Sequence, residues 1–334
     1  MTPQPPPHPR NPEGGIRRVG VEIEFAGIVP HDAAQLVIER FGGHAEAISP
    51  HRLKVVDSRW GTFVIELDAK YAHPDTKVTN RPPKSDAEWD LQRHQMRVDL
   101  HTKTRELIGD AVTGLVPTEV VCPPVPWNEL GDLDALFDAL REHGAKGTDA
   151  SLLYGFGLHL NPEVPSLAPD SLLAHLQAYL LLAAWLRDQI HIDITREVLP
   201  HANPFPKSYA IKLLDPDYRP GLDQLIADYL VYNPTRNREL DMLPLFAYLR
   251  PDHCSELFAD DMIKPRPTFH YRLPNAQLSA PDWGPTIEWN RWQKVERLAA
   301  DPAHLASQAR EYLAHHAQSP MSRWLDKLRD WMNE

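Results

Sequence analysis

Six short segments in which apolar and polar residues alternate constrain the fold of this chain more than any other feature. They cover residues 19–25, 53–56, 62–69, 115–122, 153–161 and 268–273. Alternation predicts strands that pack one face and leave the other face polar. Loops that contain proline and glycine separate the segments, and no β-α-β rhythm connects them. We therefore predict an α+β fold, with an antiparallel sheet and helices on its outer face.

Segments with apolar residues at i, i+3 and i+4 predict the helices. They cover residues 32–41, 130–142, 170–188, 222–230, 238–249, 289–314 and 322–333. In residues 130–142 the apolar side chains form one stripe, and Gly144 supplies the stop. The Pro-rich residues 1–15 have too little apolar surface to become ordered, so we expect a flexible tail. Residues 16–300 then form the main domain, and residues 301–334 form a C-terminal helical extension packed on it.

The composition argues against several classes of protein. The net charge is −11 over 334 residues and the Lys and Arg residues are scattered, so no basic stripe for nucleic acid is present. The cysteines, Cys122 and Cys254, show no metal-ligand spacing, which argues against a disulfide framework or a structural zinc site. No apolar run is long enough to span a membrane, and the N-terminus has no signal-peptide core. We expect a cytoplasmic protein without a nucleic-acid or membrane partner.

Two predicted strands carry acidic rows on their polar faces. In residues 19–25 the apolar side chains share one face, so Glu22 and Glu24 share the other. In residues 62–69, Glu66 and Asp68 stand together in the same way. A single acidic row is most often a solvated strand face, and only its repetition on other strands indicates a site. Glu119 lies in an apolar segment, where its burial is costly unless it is paired or bound to a metal.

Other predicted strands add imidazole, amide and cationic groups. His159 and Asn161 follow Gly155 and Gly157 on one face of residues 153–161. The polar face of residues 268–273 and the segment before it carry the remaining groups, which are Lys264, Arg266, Thr268, His270 and Arg272. Such oxygen and nitrogen ligands suit Mg²⁺ or Mn²⁺, and the cationic side chains can neutralise phosphate charge. This inventory predicts a nucleotide-dependent enzyme.

Phosphate binding here must come from metals and side chains. The sequence contains no GxxxxGK[ST] loop, no GxGxxG turn and no kinase catalytic-loop set.

Four segments stand in a fixed order along the chain. Residues 19–27 read VGVEIEFAG, 116–124 read VPTEVVCPP, 155–161 read GFGLHLN and 264–275 read KPRPTFHYRLPN. In this order they resemble the amidoligase family. The resemblance covers residues 17 to 300 and includes the segment NPTRNRELDML at residues 233–243. The family is assigned to the superfamily of glutamine synthetase and glutamate-cysteine ligase. The resemblance implies a funnel formed by a curved antiparallel sheet, with ATP entering one end and a carboxylate and an amine meeting at the other.

The resemblance also implies roles for the metal-type residues. Glu22 and Glu24 would each serve one of two cations, Glu119 would be a further metal-holding glutamate, and Glu66 would complete the carboxylate set. His159 resembles a metal-binding histidine, and Asn161 resembles the polar residue that approaches the transferred phosphate. His270 stands where the related strand of glutamine synthetase has a metal-binding acid, so this histidine serves either the second cation or the substrate.

Further roles concern phosphate and proton transfer. Arg272 resembles a phosphate-contacting arginine, and Arg266 and Lys264 resemble contacts to the γ-phosphate or to the substrate carboxylate. For Lys264 a salt bridge to the acidic rows is an equal alternative. Asp68 is the candidate base that takes the amine proton. The implied reaction is ATP-dependent amide formation through an acyl phosphate, with small-molecule or peptide substrates and with Mg²⁺ or Mn²⁺ as cofactor.

Two other functions remain open from the residues alone. A metal-dependent phosphoesterase or other hydrolase could use the same Glu, His and Arg groups without a nucleotide. A non-enzymatic module could receive a basic peptide in an acidic groove, with Trp283, Trp289 and Trp292 as anchors. The identity of the substrates and the oligomeric state do not follow from the sequence.

Overall fold

One antiparallel sheet organises the computed structural model, which describes residues 1–67, 116–150, 155–190, 202–253, 257–258 and 262–317. Its strands are β1 (Arg18–Phe25), β2 (His44–Ser49), β3 (Arg52–Ser58), β4 (Gly61–Leu67), β5 (Thr118–Val121), β6 (Val125–Pro126) and β7 (Leu158–Pro162). The strands β2, β3, β4 and β5 pair in that order, β5 and β6 pair with one edge of β1, and β7 pairs with the opposite edge of β1. β1 therefore has neighbours on both edges, and its polar groups lie in the interior of the sheet.

Alternation along β1 separates the core from the polar face. Val19, Val21 and Ile23 are completely buried, as is Phe25. The same period buries Leu53 and Val55 of β3, Phe63 and Ile65 of β4, Val120 of β5, and Leu158 and Leu160 of β7. The predicted division of the strands into an apolar and a polar face is confirmed. Helices cover the apolar face, so the α+β class is confirmed as well.

Eight helices accompany the sheet in the described part of the chain. They are α1 (Pro30–Phe41), α2 (Leu130–Glu142), α3 (Pro169–Ile190), α4 (Lys207–Leu214), α5 (Leu222–Tyr232), α6 (Leu243–Leu249), α7 (Pro285–Ala299) and α8 (Pro302–Ala317). Short 3₁₀ turns cover Trp127–Glu129 and Thr148–Ala150. α2 has the predicted bounds, and Gly144 follows it with a φ of 87°, a conformation that ends helices. None of the helices described here has the length and apolarity needed to cross a bilayer.

Two helix predictions need correction. The single helix predicted over residues 289–314 is two helices, α7 and α8, because Pro302 cannot continue the hydrogen-bond ladder of α7. The helix predicted over residues 238–249 begins only at Leu243. Its first residues are extended instead, and the carboxylate of Asp241 accepts a hydrogen bond from the Leu243 N–H at 3.0 Å. The predicted helix over residues 322–333 lies outside the described residues.

The strand predictions differ mainly at their ends. β2 lies over residues that the alternation did not single out, because all of its side chains are exposed. Residues 268–273 form isolated antiparallel bridges to β7 and to Leu240 rather than a continuous strand. Phe269, Tyr271 and Leu273 are nevertheless fully buried, as predicted. Parts of three predicted strands, residues 68–69, 115 and 153–154, lie outside the described residues.

The first residues of the chain lie along α7. The N–H of Gln4 donates to Oδ1 of Asn290 at 2.7 Å, and the Trp289 indole donates to the Gln4 carbonyl at 2.9 Å. The Thr2 carbonyl accepts from Nδ2 of Asn290 at 3.1 Å. A proline-rich backbone makes no hydrogen bonds of its own, so its remaining polar groups are available to neighbouring side chains. Residues 2–4 thus contact α7, while the flexible tail over residues 1–15 and the other domain bounds stay predictions.

A buried ion pair joins the start of β1 to α7. The Arg17 guanidinium donates two hydrogen bonds of 2.7 Å to the Glu296 carboxylate, and the two side chains are 1% and 2% exposed. The Trp292 indole donates to the same carboxylate at 2.7 Å. Burial alone would raise the pKa of Glu296, but the charge and hydrogen bonds of Arg17 hold it below its ordinary value.

Replacing Glu296 by Gln is expected to destabilise the protein by about 3–5 kcal/mol, because the Arg17 guanidinium would be left buried without a counter-charge. The free energy of unfolding at pH 7, measured by urea denaturation, tests this. Asp138→Asn is the matched control, because Asp138 is 59% exposed in its ion pair with Arg141 and should contribute at most about 1 kcal/mol. Equal losses in the two variants would contradict the prediction.

The same pair gives a pH dependence with a definite sign. Folding lowers the pKa of Glu296 below its ordinary value of 4.5. The stability that the ionised carboxylate contributes is therefore fully present above pH 4.5 and is lost as the pH falls through the lowered pKa. The difference in free energy of unfolding between the wild type and Glu296→Gln should therefore shrink below that pH.

Candidate functional site

The polar face of β1 brings together the residues that the sequence singles out. Glu22 and Glu24 lie on it, opposite the buried Val21 and Ile23. Antiparallel register then fixes their neighbours, because residues directly opposite each other share a face. Glu24 stands opposite Glu119 of β5, and Glu22 stands opposite His159 of β7. The predicted convergence of these strands on one face is observed.

An acidic row crosses three strands. Glu66 of β4 and Glu24 of β1 both stand opposite Glu119 of β5. Glu24 and Glu119 are 7% and 6% exposed, and Oε2 of Glu24 accepts from the Gly157 N–H at 3.0 Å. Glu66 is nearer the solvent and forms a 2.9 Å ion pair with Arg52. Neighbouring buried carboxylates repel each other unless a cation or a proton lies close to them.

A second group joins one carboxylate to two imidazoles. Glu22, His159 and His270 each offer a ligand atom, and these atoms lie within 4.8 Å of one another. Nδ1 of His159 lies 3.1 Å from Oε2 of Glu22, and the two imidazole rings are T-shaped at 5.3 Å between centroids. Among the described residues this is the group of His, Cys, Asp and Glu whose spacing fits a metal ion. We call it the Glu22–His159–His270 group.

The protonation states of this group suit a cation. Burial would raise the pKa of Glu22, but the hydrogen bond from His159 and the positive charge of Arg266 hold it well below its usual range. Burial lowers the pKa of His270 to about 4, despite the nearby Asp241. At neutral pH the group therefore presents an ionised carboxylate and a neutral His270 imidazole, which are the forms that bind metals.

His270 lies beside Asp241. Nδ1 of His270 lies 3.4 Å from Oδ2 of Asp241, too far for a strong hydrogen bond, and both ring nitrogens are buried without a hydrogen-bond partner. The Asp241 N–H donates to the His270 carbonyl at 2.9 Å. A buried imidazole with unused nitrogens beside a carboxylate fits the donor set of a metal site.

Asn161 links this group to Arg266. Its Nδ2 donates to Oε1 of Glu22 at 2.9 Å, and its Oδ1 accepts from Nη2 of Arg266 at 2.7 Å. Arg266 also lies 3.8 Å from the Glu22 carboxylate. Gly20 faces Asn161, and a β-carbon at Gly20 would lie 3.3 Å from the Asn161 β-carbon, a tight contact. Glycine at this position therefore leaves room for the amide to reach both partners.

The family of the protein follows from a sequence comparison. The model of the family described as "Putative amidoligase enzyme" matches residues 15–294. The chain belongs to this family. Membership indicates an enzyme that forms amide bonds, and the resemblance seen in the four sequence segments is confirmed. Neither a curated protein nor a solved structure matches the chain.

The remaining predicted site residues of this amidoligase lie at different depths. Arg272 is 7% exposed, donates to the Arg236 carbonyl at 2.6 Å, and acts electrostatically on His270. The Lys264 side chain is exposed, and its carbonyl accepts from Arg266 at 3.3 Å. Asp68 lies outside the described residues. Asp241 was missed, because the sequence predicts a helix there and no local signal ties it to His270, which lies far along the chain.

The tryptophans proposed as peptide anchors belong to the interior. Trp283, Trp289 and Trp292 are 4%, 0% and 0% exposed. The Trp283 indole donates to Glu288 and the Trp292 indole to Glu296. These side chains pack the core and are not available to a peptide partner, so this basis for a binding module is lost.

Proposed function

We propose that the protein is an ATP-dependent carboxylate–amine ligase. One observation carries the proposal: the Glu22–His159–His270 group and the Asn161–Arg266 pair converge on the polar face of the sheet. Metal-type ligands beside an arginine are what phosphoryl transfer requires, because a transferred phosphate needs its charge neutralised on several oxygens. Membership of the amidoligase family supplies the amide-forming half of the proposal.

The proposed reaction has two steps. A substrate carboxylate oxygen attacks the γ-phosphorus of ATP, and the bond to ADP breaks, which gives an acyl phosphate. The amine nitrogen then attacks the acyl carbon, and the bond to phosphate breaks, so that an amide and inorganic phosphate result. The amine proton passes to an acidic residue, for which Asp68 is the candidate.

The residues of the site divide the work. Glu22, His159 and His270 would hold one divalent cation, and Glu24, Glu119 and Glu66 would be the ligands for a second. A bound cation would supply positive charge that offsets the charge developing on the transferred phosphate. Arg266 and Arg272 bind phosphate oxygens, and Asn161 orients Arg266 through its 2.7 Å hydrogen bond. Lys264, which is exposed, would contact only the outer part of a nucleotide or substrate.

The proposal extends to the shape of the site, the substrates and the metal. The sheet would form one wall of a funnel of the glutamine synthetase type, with ATP and the two substrates entering from opposite ends. The substrates would be small molecules or peptides in the cytoplasm, and the cations would be Mg²⁺ or Mn²⁺.

ADP release tests the proposed function directly. The protein is incubated with ATP and Mg²⁺ or Mn²⁺, with pools of carboxylates and amines added separately and together. We expect multiple turnovers of ADP and phosphate only when both substrate classes are present, because without the amine the acyl phosphate stays on the enzyme and at most one equivalent of ADP forms. Hydrolysis of phosphate esters without ATP would identify a metal-dependent phosphoesterase instead. No stimulation by any pool would count against the ligase.

A further inference from the structure

The Glu22–His159–His270 group contains two imidazoles and one carboxylate. We infer that this group, with Asp241 behind His270, binds a first-row transition-metal dication such as Co²⁺, Zn²⁺ or Fe²⁺ in preference to Mg²⁺. The inference rests on the proposed function only in that it concerns one of the two proposed cation sites. It specifies which class of cation that site takes.

The donor atoms carry the argument. Mg²⁺ prefers six oxygen ligands, keeps several waters and gains little from nitrogen. Imidazole nitrogen suits Zn²⁺, Fe²⁺, Co²⁺ and Ni²⁺, whose affinity for nitrogen donors exceeds that of Mg²⁺. Here His159 and His270 supply two of the three converging ligand atoms. Glu22 supplies a single negative charge, so electrostatic attraction alone is a weak source of affinity for a hard dication.

Asp241 strengthens the nitrogen donor. The carboxylate of Asp241 lies 3.4 Å from Nδ1 of His270 and is itself fixed by the Leu243 N–H at 3.0 Å. At 3.4 Å, Nδ1–H can close a hydrogen bond to Asp241 once Nε2 binds a metal, and a carboxylate in this position fixes the orientation of the imidazole and raises its basicity. Asp241 therefore acts through His270 as a positioning residue.

The acidic row on the same sheet provides the contrast. Glu24, Glu119 and Glu66 offer only oxygen atoms and stand opposite one another across β1, β5 and β4. Oxygen donors of this type match Mg²⁺. Glu22 and Glu24, two residues apart on the polar face of β1, thus face two donor sets of different chemistry, and the imidazoles of His159 and His270 belong to the set around Glu22.

Metal binding is measured on the full-length protein without nucleotide or substrates. The protein is stripped with a chelator and titrated with Co²⁺, whose visible absorption reports nitrogen ligation, and Mg²⁺ is then added as competitor. We expect Co²⁺ to remain bound at a large excess of Mg²⁺.

Two variants test the roles of Asp241 and His270. Asp241→Asn should weaken Co²⁺ binding by about 10–100-fold, the usual effect of losing an outer carboxylate. His270→Glu should weaken Co²⁺ binding and strengthen Mg²⁺ binding, which narrows the preference by about tenfold or more.

Controls separate a metal role from a structural one. Asn at position 241 can still accept from the Leu243 N–H, so thermal unfolding of Asp241→Asn without metal should resemble that of the wild type. Asp228→Asn removes a carboxylate that is 13% exposed and contacts Lys212 and Tyr218 away from the site, and should leave the Co²⁺ spectrum unchanged.

Displacement of Co²⁺ by equimolar Mg²⁺, or an unchanged Co²⁺ spectrum in His270→Glu, would overturn the inference. Selective Co²⁺ binding without ADP release would instead count against the ligase alone.

Discussion

Glu22→Gln is expected to lower ATP-dependent amide synthesis by at least about 100-fold, while the protein remains folded. Glu22 belongs both to the cation group and to the Asn161–Arg266 network. Removing the charge of Glu22 weakens the binding of a cation that would stabilise the developing phosphate charge by several kcal/mol. Each 1.4 kcal/mol lost from the transition state lowers the rate roughly tenfold. The Gln amide oxygen can still accept from Asn161, so the core of the sheet should be preserved. Turnover is measured as substrate-stimulated ADP release.

The control for this change is Glu46→Gln. Glu46 lies on β2, the edge strand, and is 52% exposed, so the same loss of charge on the same sheet should leave turnover unchanged. A higher cation concentration should recover part of the activity of Glu22→Gln, because the lost contact is to the cation. Wild-type turnover in Glu22→Gln would contradict the prediction, and Glu22 would then be a polar residue of the strand face without a role in catalysis.

Arg266→Ala is expected to lower kcat/KM by about 10²–10³-fold, the range seen when one donor to a developing charge is removed. Arg266 is 27% exposed, so its guanidinium can reach a bound phosphate while Asn161 fixes one of its nitrogens. Arg266→Lys keeps the charge but loses the planar fork, so we expect it to recover only part of the loss. The KM for ATP and kcat, measured separately, show whether Arg266 acts in binding or in the transition state.

Arg250→Ala is the matched control for Arg266. Arg250 forms an exposed ion pair with Asp223, in which the two side chains are 40% and 81% exposed, and it should have no effect on kcat/KM. If Arg266→Ala behaves like Arg250→Ala, Arg266 is only a counter-charge for Glu22.

The residues on strands could be placed from the sequence, because a period of two fixes which side chains share a face. Glu22, Glu24 and Glu66 were assigned to one polar surface in this way, and the register confirms it. The contacts among these residues could not be predicted in this way, because they depend on pairing between strands that are distant in the sequence. Only the structure shows that Glu22 joins the histidines and that Glu24 joins Glu119.

Residues outside the strands were harder to predict. Asp241 lies in an apolar stretch whose spacing resembles a helix, but the chain there is extended and returns to the edge of the site. Its partner, His270, is distant in sequence, and a single contact of this kind leaves no periodic signal. Lys264 differs from Asp241 in that the sequence singled it out. Its proximity to Arg266 suggested a site residue, but the structure shows its side chain exposed to solvent.

The Arg17–Glu296 pair also bears on where the chain can be shortened without a large loss of stability. The family match ends at residue 294, and a chain cut there would keep all the proposed site residues but lack Glu296. Arg17, which immediately precedes β1, would then lie buried without its partner, so the strand that carries Glu22 and Glu24 would lose its anchor. A truncated version for biochemical work should therefore extend through the end of α7 at Ala299.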